Sequence, residues 1–308
     1  MTSLVDRYAA LACDLDGVVY RGPAPVDHAV EALDAVRSPV VYATNNASRR
    51  PRDVAAHLGR LGLRCREAEV TTSSEAAAWL LGRTDVHGAV LAVGGPGVGT
   101  ALAEAGFEVV LPADASDAEV AAVVQGYGPD VTASDLAEAA YAVQSGARWV
   151  ATNADATLPT DRGVAPGNGS LVAAVARAVG RDPDDIAGKP QPPLYLLTAE
   201  RLGLSPSGVL AVGDRLDTDI EGAVAAGLDS LLVLTGVDDL DAVLVAPPAR
   251  RPTFVAPDLR WLHAPGSAVE RLTDAVRAVH DAQDQGREDQ LERLRAAAGD
   301  VMSRAHPG

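Results

Sequence analysis

The stretch Asp14-Leu15-Asp16-Gly17-Val18-Val19-Tyr20 sets two carboxylates two residues apart, where the short apolar run 9–15 gives way to a glycine. Alternate residues of a β-strand share a face, and a glycine just beyond lets the chain turn away, so both acids are expected to stand exposed at a strand end. Strand ends are where parallel α/β sheets bind ligands. A calcium loop counted from Asp14 would need glycine and glutamate where Val19 and Pro25 stand, so that reading fails. Taken alone, the motif still has two readings, a catalytic pair or an ordinary acidic turn.

A second acidic cluster follows another apolar run. Val209-Leu210-Ala211-Val212 reads as a buried parallel strand, then come Gly213-Asp214-Arg215-Leu216-Asp217-Thr218-Asp219-Ile220 and a helix-like segment 221–226. Asp217 or Asp219 could cap that helix, since a short acidic side chain satisfies its free N–H groups. Capping needs only one of them. Asp214, directly after the strand, is left over, and a hard cation such as Mg²⁺ is the usual reason to gather carboxylates in this way.

Two further segments complete the set. Of 26 basic residues only Lys189, in Gly188-Lys189-Pro190, is a lysine, so this position is expected to need a compact ammonium that arginine cannot replace. The alternative is a chance survivor on a surface loop. Val40-Val41-Tyr42-Ala43-Thr44-Asn45-Asn46-Ala47-Ser48-Arg49 is another apolar run ending in hydroxyl and amide groups, which suit phosphate oxygens but also suit a polar turn.

At 308 residues the chain can hold two modest domains and a tail. It lacks a basic-then-apolar leader pattern and any apolar run long enough to cross a bilayer, which points to the cytoplasm. A formal charge of −16 argues against nucleic acid and against anionic membranes as partners. A small anionic substrate is not opposed, because a site cation and Lys189 reverse the field locally. Cys13 and Cys65 carry no metal-ligand spacing and read as reduced small hydrophobes, and the six histidines form no zinc pattern.

Expected strands at 11–15, 40–44, 209–212 and 231–234 alternate with helical patterns at 28–36, 52–61, 193–202 and 219–226. This alternation predicts an α/β fold, a doubly wound, Rossmann-like parallel sheet covered on both faces. A helix over 73–81 leads out of it into a second βα series, with strands at 89–93, 107–110, 121–125 and 149–152. Gly94-Gly95-Pro96-Gly97-Val98-Gly99 sits between a strand and a helix but lacks the third glycine of a dinucleotide fingerprint, and reads as a tight turn. Beyond Gly266, Val269, Leu272, Val276 and Val279, then Leu291, Leu294 and Val301, repeat at helical spacing around Gly286, which predicts a helical hairpin. That tail has two readings, packing on its own core or a homodimer contact.

Together and in this order, the four motifs resemble the haloacid dehalogenase superfamily of phosphatases, and the long segment between Thr44 and Lys189 resembles the inserted α/β cap of its subclass IIA. The resemblance implies a discontinuous catalytic core over 1–82 and 187–264, a cap over 83–186 and a helical extension over 265–308. It also implies a Mg²⁺-dependent phosphatase acting on a small phosphomonoester. Asp14 would be the nucleophile and Asp16 the general acid and base. Mg²⁺ would lie on the Asp14 carboxylate, the Asp16 carbonyl and Asp214, with Asp219 ordering its waters. Lys189, Thr44 and Asn45 would hold the phosphate. Specificity is expected from the loop that carries Asn153 and Asp155 together with 166–170, with Asn46 and Arg49 as further substrate contacts; Asn153 and Asp155 could equally just fix a turn. Within the branch, the segments 44–49, 157–160, 166–170 and 213–220 are most similar to the actinobacterial members acting on glycerol phosphate, which implies glycerol 3-phosphate as substrate. The loop is polar and free of aromatics, which suits a polyol phosphate better than pyridoxal phosphate. Phosphoglycolate and sugar phosphates are the nearest alternatives, and a phosphomutase or a non-catalytic binding protein the more distant ones.

Overall fold

The computed structural model describes residues 2–160 and 162–304, which fall into two compact units. Of the described residues, the first comprises 2–42, 59–64 and 198–304, and the second 43–58, 65–160 and 162–197. The last four residues of the expected extension, and Asp161 of the expected cap, lie outside the described residues.

In the first unit, parallel strands run in the spatial order Phe254–Ala256, Asp229–Val233, Val209–Gly213, Ala10–Cys13 and then residues 40–42 of the strand Val40–Thr44. Ala10–Cys13 pairs on both sides, with Ala12 opposite Ala211 on one neighbour and Val41 on the other. Its four residues are all buried, as expected of a strand covered on both faces and therefore apolar without alternation. The expected strand 11–15 stops at Cys13. Asp14 and Asp16 therefore lie just past the strand instead of on one of its faces, and the chain turns at Gly17, whose φ of 82° is one that L side chains rarely adopt. The three-residue strand Phe254–Ala256 was not anticipated, because so short an apolar run carries no period.

The tail forms the expected pair of helices, Gly266–Asp284 and Glu288–Ser303. Val269, Leu272, Val276 and Val279 are all buried. The last three pack with Leu232, Val243, Leu216 and Ile220 of the same unit. Each such side chain contributes roughly 1.5–3 kcal/mol relative to exposure, enough together to fasten the hairpin. The apolar stripe is thus used on the chain's own core, the first of the two readings of this tail.

The second unit has its own parallel sheet, in the order Asp185–Ile186, Arg148–Ala151, Val120–Gln125, Ala89–Val93 and Val109–Val110. The helices Ala133–Gln144 and Asn168–Val179 cover one face, burying Ala139, Val143, Val172 and Val175 around Trp149. An antiparallel hairpin, Thr157–Thr160 with Gly163–Pro166, adds two strands that the residue pattern did not announce. The Gly94–Gly99 segment does begin a helix, Pro96–Glu104. A Cβ at Gly97 would lie 2.4 Å from the Ala47 carbonyl oxygen, and the Gly97 N–H donates to the Ser48 carbonyl at 3.0 Å. The glycines admit the 47–49 backbone, not a nucleotide. Among the described residues no helix is long and apolar enough to cross a membrane.

Candidate active site

In the first unit the acids gather where two neighbouring strands end. The Asp14 N–H donates to the Val212 carbonyl at 2.8 Å, continuing the ladder one rung beyond the strand. Asp14, Asp214 and Asp219 are all buried, and one carboxylate oxygen from each lies within 4.8 Å of the others. Asp219 does not cap the following helix. Its Oδ2 accepts from the N–H groups of Asp214 at 3.2 Å and Arg215 at 3.1 Å, so it braces the loop that carries Asp214. Asp217 is paired with the Arg215 guanidinium, and no side chain caps the Glu221–Ala226 helix. Asp214 is held by the Val237 N–H, 2.8 Å from its Oδ2. Asp16, by contrast, is exposed, in the turn closed by the Gly17 N–H on the Tyr20 carbonyl. The expectation of two exposed acids holds for Asp16 and fails for Asp14, which sits deeper because it still makes the last ladder bond.

In the second unit a polar network surrounds Lys189, which is only 2% exposed. The Asn45 side chain treats the Lys189 backbone as another strand would: its Oδ1 accepts the Lys189 N–H at 2.8 Å and its Nδ2 donates to the Lys189 carbonyl at 2.9 Å. The same Nδ2 reaches the Asp155 carboxylate at 3.2 Å. Asn153 donates to the Asn45 carbonyl at 2.7 Å, and its Oδ1 accepts the Asp155 N–H at 3.2 Å. Asn153 therefore both fixes its turn and ties that turn to Asn45. The Lys189 ammonium donates to the Ala43 carbonyl at 3.2 Å, with the Tyr195 ring 6.0 Å away. The Thr44 hydroxyl accepts the Asn46 N–H, and the Asn46 side-chain oxygen accepts the N–H groups of Ser48 and Arg49. Asn46 thus closes a turn, and Arg49 is exposed beside it.

The acid cluster offers hard oxygen donors only, a set suited to Mg²⁺ or a similar cation and unsuited to zinc, which prefers nitrogen and sulfur. Burial of three carboxylates this close is costly without such a counter-charge. The residues present fit the cation.

Residues 11–108 match the family model of haloacid dehalogenase-like hydrolases, and 186–262 match a second, HAD-hydrolase-like model. A D-glycerol 3-phosphate phosphatase from Mycobacterium tuberculosis is 47% identical over 264 residues, which span 85% of this chain and 73% of the relative. The chain belongs to the haloacid dehalogenase-like hydrolase family. An acid sugar phosphatase from Staphylococcus aureus is 36% identical over 77% of this hydrolase and 90% of the relative. Among solved structures, the glycerol phosphate phosphatase from M. tuberculosis in complex with magnesium superposes with a TM-score of 0.82 at 46% identity, covering 87% of this chain and 80% of that one. A 4-nitrophenylphosphatase from Thermotoga maritima gives 0.75 at 28% identity, covering 84% and 97%.

Within this hydrolase the structure brings Asp14, Asp214 and Asp219 together, and separately Asn45, Asn153, Asp155 and Lys189. Asn168, within the 166–170 segment singled out in the sequence, anchors the Asn153 loop: its buried Nδ2 donates to the Asn153 carbonyl at 2.8 Å. Sequence reasoning passed over the turn 235–238 that holds Asp214. That turn reaches Asp214 through the Val237 N–H, and a backbone donor leaves no signal in residue spacing. Cys65 takes no part: burial, with Glu69 nearby, pushes its thiol up to about 12, which leaves it protonated and inert.

Proposed function

We propose that this hydrolase is a Mg²⁺-dependent phosphatase that cleaves glycerol 3-phosphate to glycerol and phosphate through an aspartyl-phosphate. The coarser class follows from the family: the enzyme is a phosphoric monoester hydrolase. The observation that carries the reading is the buried Asp14, Asp214 and Asp219 cluster at the ends of two adjacent parallel strands.

An Asp14 oxygen attacks phosphorus while the bond to the ester oxygen breaks, and Asp16, exposed and so able to meet solvent and substrate, gives its proton to the departing alcohol. In the second step Asp16 takes a proton from the water that attacks the same phosphorus, releasing phosphate and restoring Asp14. Asp14, Asp214 and the Asp16 carbonyl would hold the cation, with Asp219 behind Asp214. Bound there, Mg²⁺ supplies positive charge that keeps Asp14 ionised and offsets its repulsion from the substrate. Lys189 and the Thr44 hydroxyl hold the phosphate oxygens, and Asn45 places Lys189 through its backbone. The 83–186 segment would serve as the cap, and Asn153, Asp155, Asn46 and Arg49 would select the polyol.

Glycerol 3-phosphate is favoured by the 47% identical relative, whose name specifies that substrate, and by the polar, aromatic-free loop. The test is phosphate release with Mg²⁺ over both glycerol 3-phosphate enantiomers, phosphoglycolate, pyridoxal phosphate and several sugar phosphates, compared by kcat/KM. A clear preference for one glycerol phosphate supports the proposal. A higher value for a sugar phosphate moves the assignment toward the S. aureus relative.

A further inference from the structure

The strand Asp229–Val233 leads into Leu234 and then Thr235-Gly236-Val237-Asp238, a segment with no place in the reaction scheme above. Every residue of this turn is engaged with the acid site. The Thr235 hydroxyl donates to the Gly17 carbonyl at 2.9 Å, inside the turn that follows Asp16. The Val237 N–H donates to Asp214 Oδ2 at 2.8 Å, while the Val237 side chain points away and is 69% exposed, so this residue contributes backbone alone. The Asp238 N–H donates to the Asp214 carbonyl at 3.2 Å, and the Asp238 carboxylate accepts the Leu216 N–H at 2.6 Å, which fixes the Asp214 loop from both sides.

Gly236 shows what the turn is for. Its φ lies outside the left-handed region, so no conformational need of the backbone demands glycine. A Cβ there would nevertheless fall 1.7 Å from Asp214 Oδ2 and 2.2 Å from its Cγ. A Cβ on Gly17 would meet the same carboxylate at 2.3 Å. The Asp214 carboxylate occupies a slot between two glycine backbones, one of which is tied to the Thr235 hydroxyl.

We propose that Thr235–Asp238 is a positioning turn for the cation site: it aims the Asp214 carboxylate through the Gly236 gap and the Val237 N–H, and sets the Asp16–Gly17 backbone through the Thr235 hydroxyl. The proposal rests on the metal assignment above. Its residues touch neither substrate nor cation, so the effect belongs in cation affinity more than in the stability of the metal-free fold.

The test is Mn²⁺ and Mg²⁺ titration of the metal-free full-length protein by calorimetry, with thermal unfolding in EDTA alongside. Gly236→Ala is expected to weaken binding by about tenfold or more, because the carboxylate must leave its slot or the turn must open. Thr235→Val, matched in shape, is expected to weaken it by about three- to tenfold, the loss of one hydrogen bond, at unchanged EDTA melting temperature, and Thr235→Ser to restore it. A Gly236→Ala protein that folds and binds Mn²⁺ like the parent overturns the proposal, as does a Thr235→Val protein with parental affinity. Asp214→Ala serves as the control: if it binds as the parent does, or the parent shows no saturable binding, the metal reading itself falls.

Discussion

Replacing Asp14 with Asn should stabilise the metal-free enzyme while destroying its response to Mg²⁺. Three buried carboxylates offer oxygens within 4.8 Å of one another. At an effective dielectric of about 20 each pair at that distance repels by about 332/(20 × 4.8), or ~3.5 kcal/mol, and the substitution removes two of the three pairs. The N–H donors from Val237 to Asp214, and from Asp214 and Arg215 to Asp219, offset part of this repulsion. A net gain of about 1–3 kcal/mol is expected, which at about 2–4 °C per kcal/mol raises the melting temperature in EDTA by roughly 2–12 °C. The parent, in turn, should gain about 2.7 kcal/mol at Mg²⁺ a hundredfold above its dissociation constant, and the variant far less. Calorimetric unfolding of both proteins in EDTA and in Mg²⁺ reads the two effects together. An Asn variant less stable than the parent in EDTA, or one with the full Mg²⁺ shift, refutes the account of these acids as a strained cation cage.

The same Asp14→Asn substitution should reduce turnover by about 10³-fold or more at unchanged fold, and acid-quenched parent incubated with labelled substrate should carry protein-bound phosphate that the variant lacks; equal turnover would dispose of the aspartyl-phosphate. Lys189→Arg should lower kcat by about 10²-fold, since a planar fork does not fit where a 2%-exposed ammonium reaches the Ala43 carbonyl, and activity within twofold of the parent in a steady-state assay would contradict this. Asn45→Ala strips both hydrogen bonds from the Lys189 backbone and should cost about 1–3 kcal/mol in urea unfolding, with a larger loss in kcat than in KM. His280, held below its ordinary value by burial despite its contact with the Val243 carbonyl, favours the neutral ring when folded; its contribution to stability is therefore present above pH 6.5 and lost as pH falls below that value. His280→Gln should flatten the pH dependence of unfolding in that window, and an unchanged slope would exclude His280 as its source.

The βα alternation was legible because both sheets are parallel and buried, so their strands read as unbroken apolar runs: Val40–Thr44, Ala89–Val93 and Val209–Gly213 lie where the runs predict. The hairpin Thr157–Thr160 with Gly163–Pro166 was not legible, since its residues are mostly exposed and follow no period. Asp14, Asp214 and Lys189 stood out by chemistry and spacing, because a carboxylate after a strand or a solitary lysine is visible without coordinates. What spacing could not show is how backbone groups are used. Asp219 turned out to brace N–H groups behind it instead of capping the helix ahead. Asn45 bonds a segment 144 residues away, and Gly236 matters only through the carboxylate that fills its missing side chain. Such roles depend on long-range approach, which local pattern does not encode.

The packing of the C-terminal hairpin carries a practical consequence. Leu216 and Ile220, which bracket the brace Asp219, lie in the same apolar cluster as Leu272, Val276 and Val279. A chain cut back to residue 262, where the second family model stops, would keep Asp14, Asp214 and Asp219 and yet leave the acid loop without its floor. The hairpin is better regarded as the foundation of the acid loop than as an appendage, and shortening this enzyme from its C-terminal end should erode its hold on the cation well before it removes a single ligand.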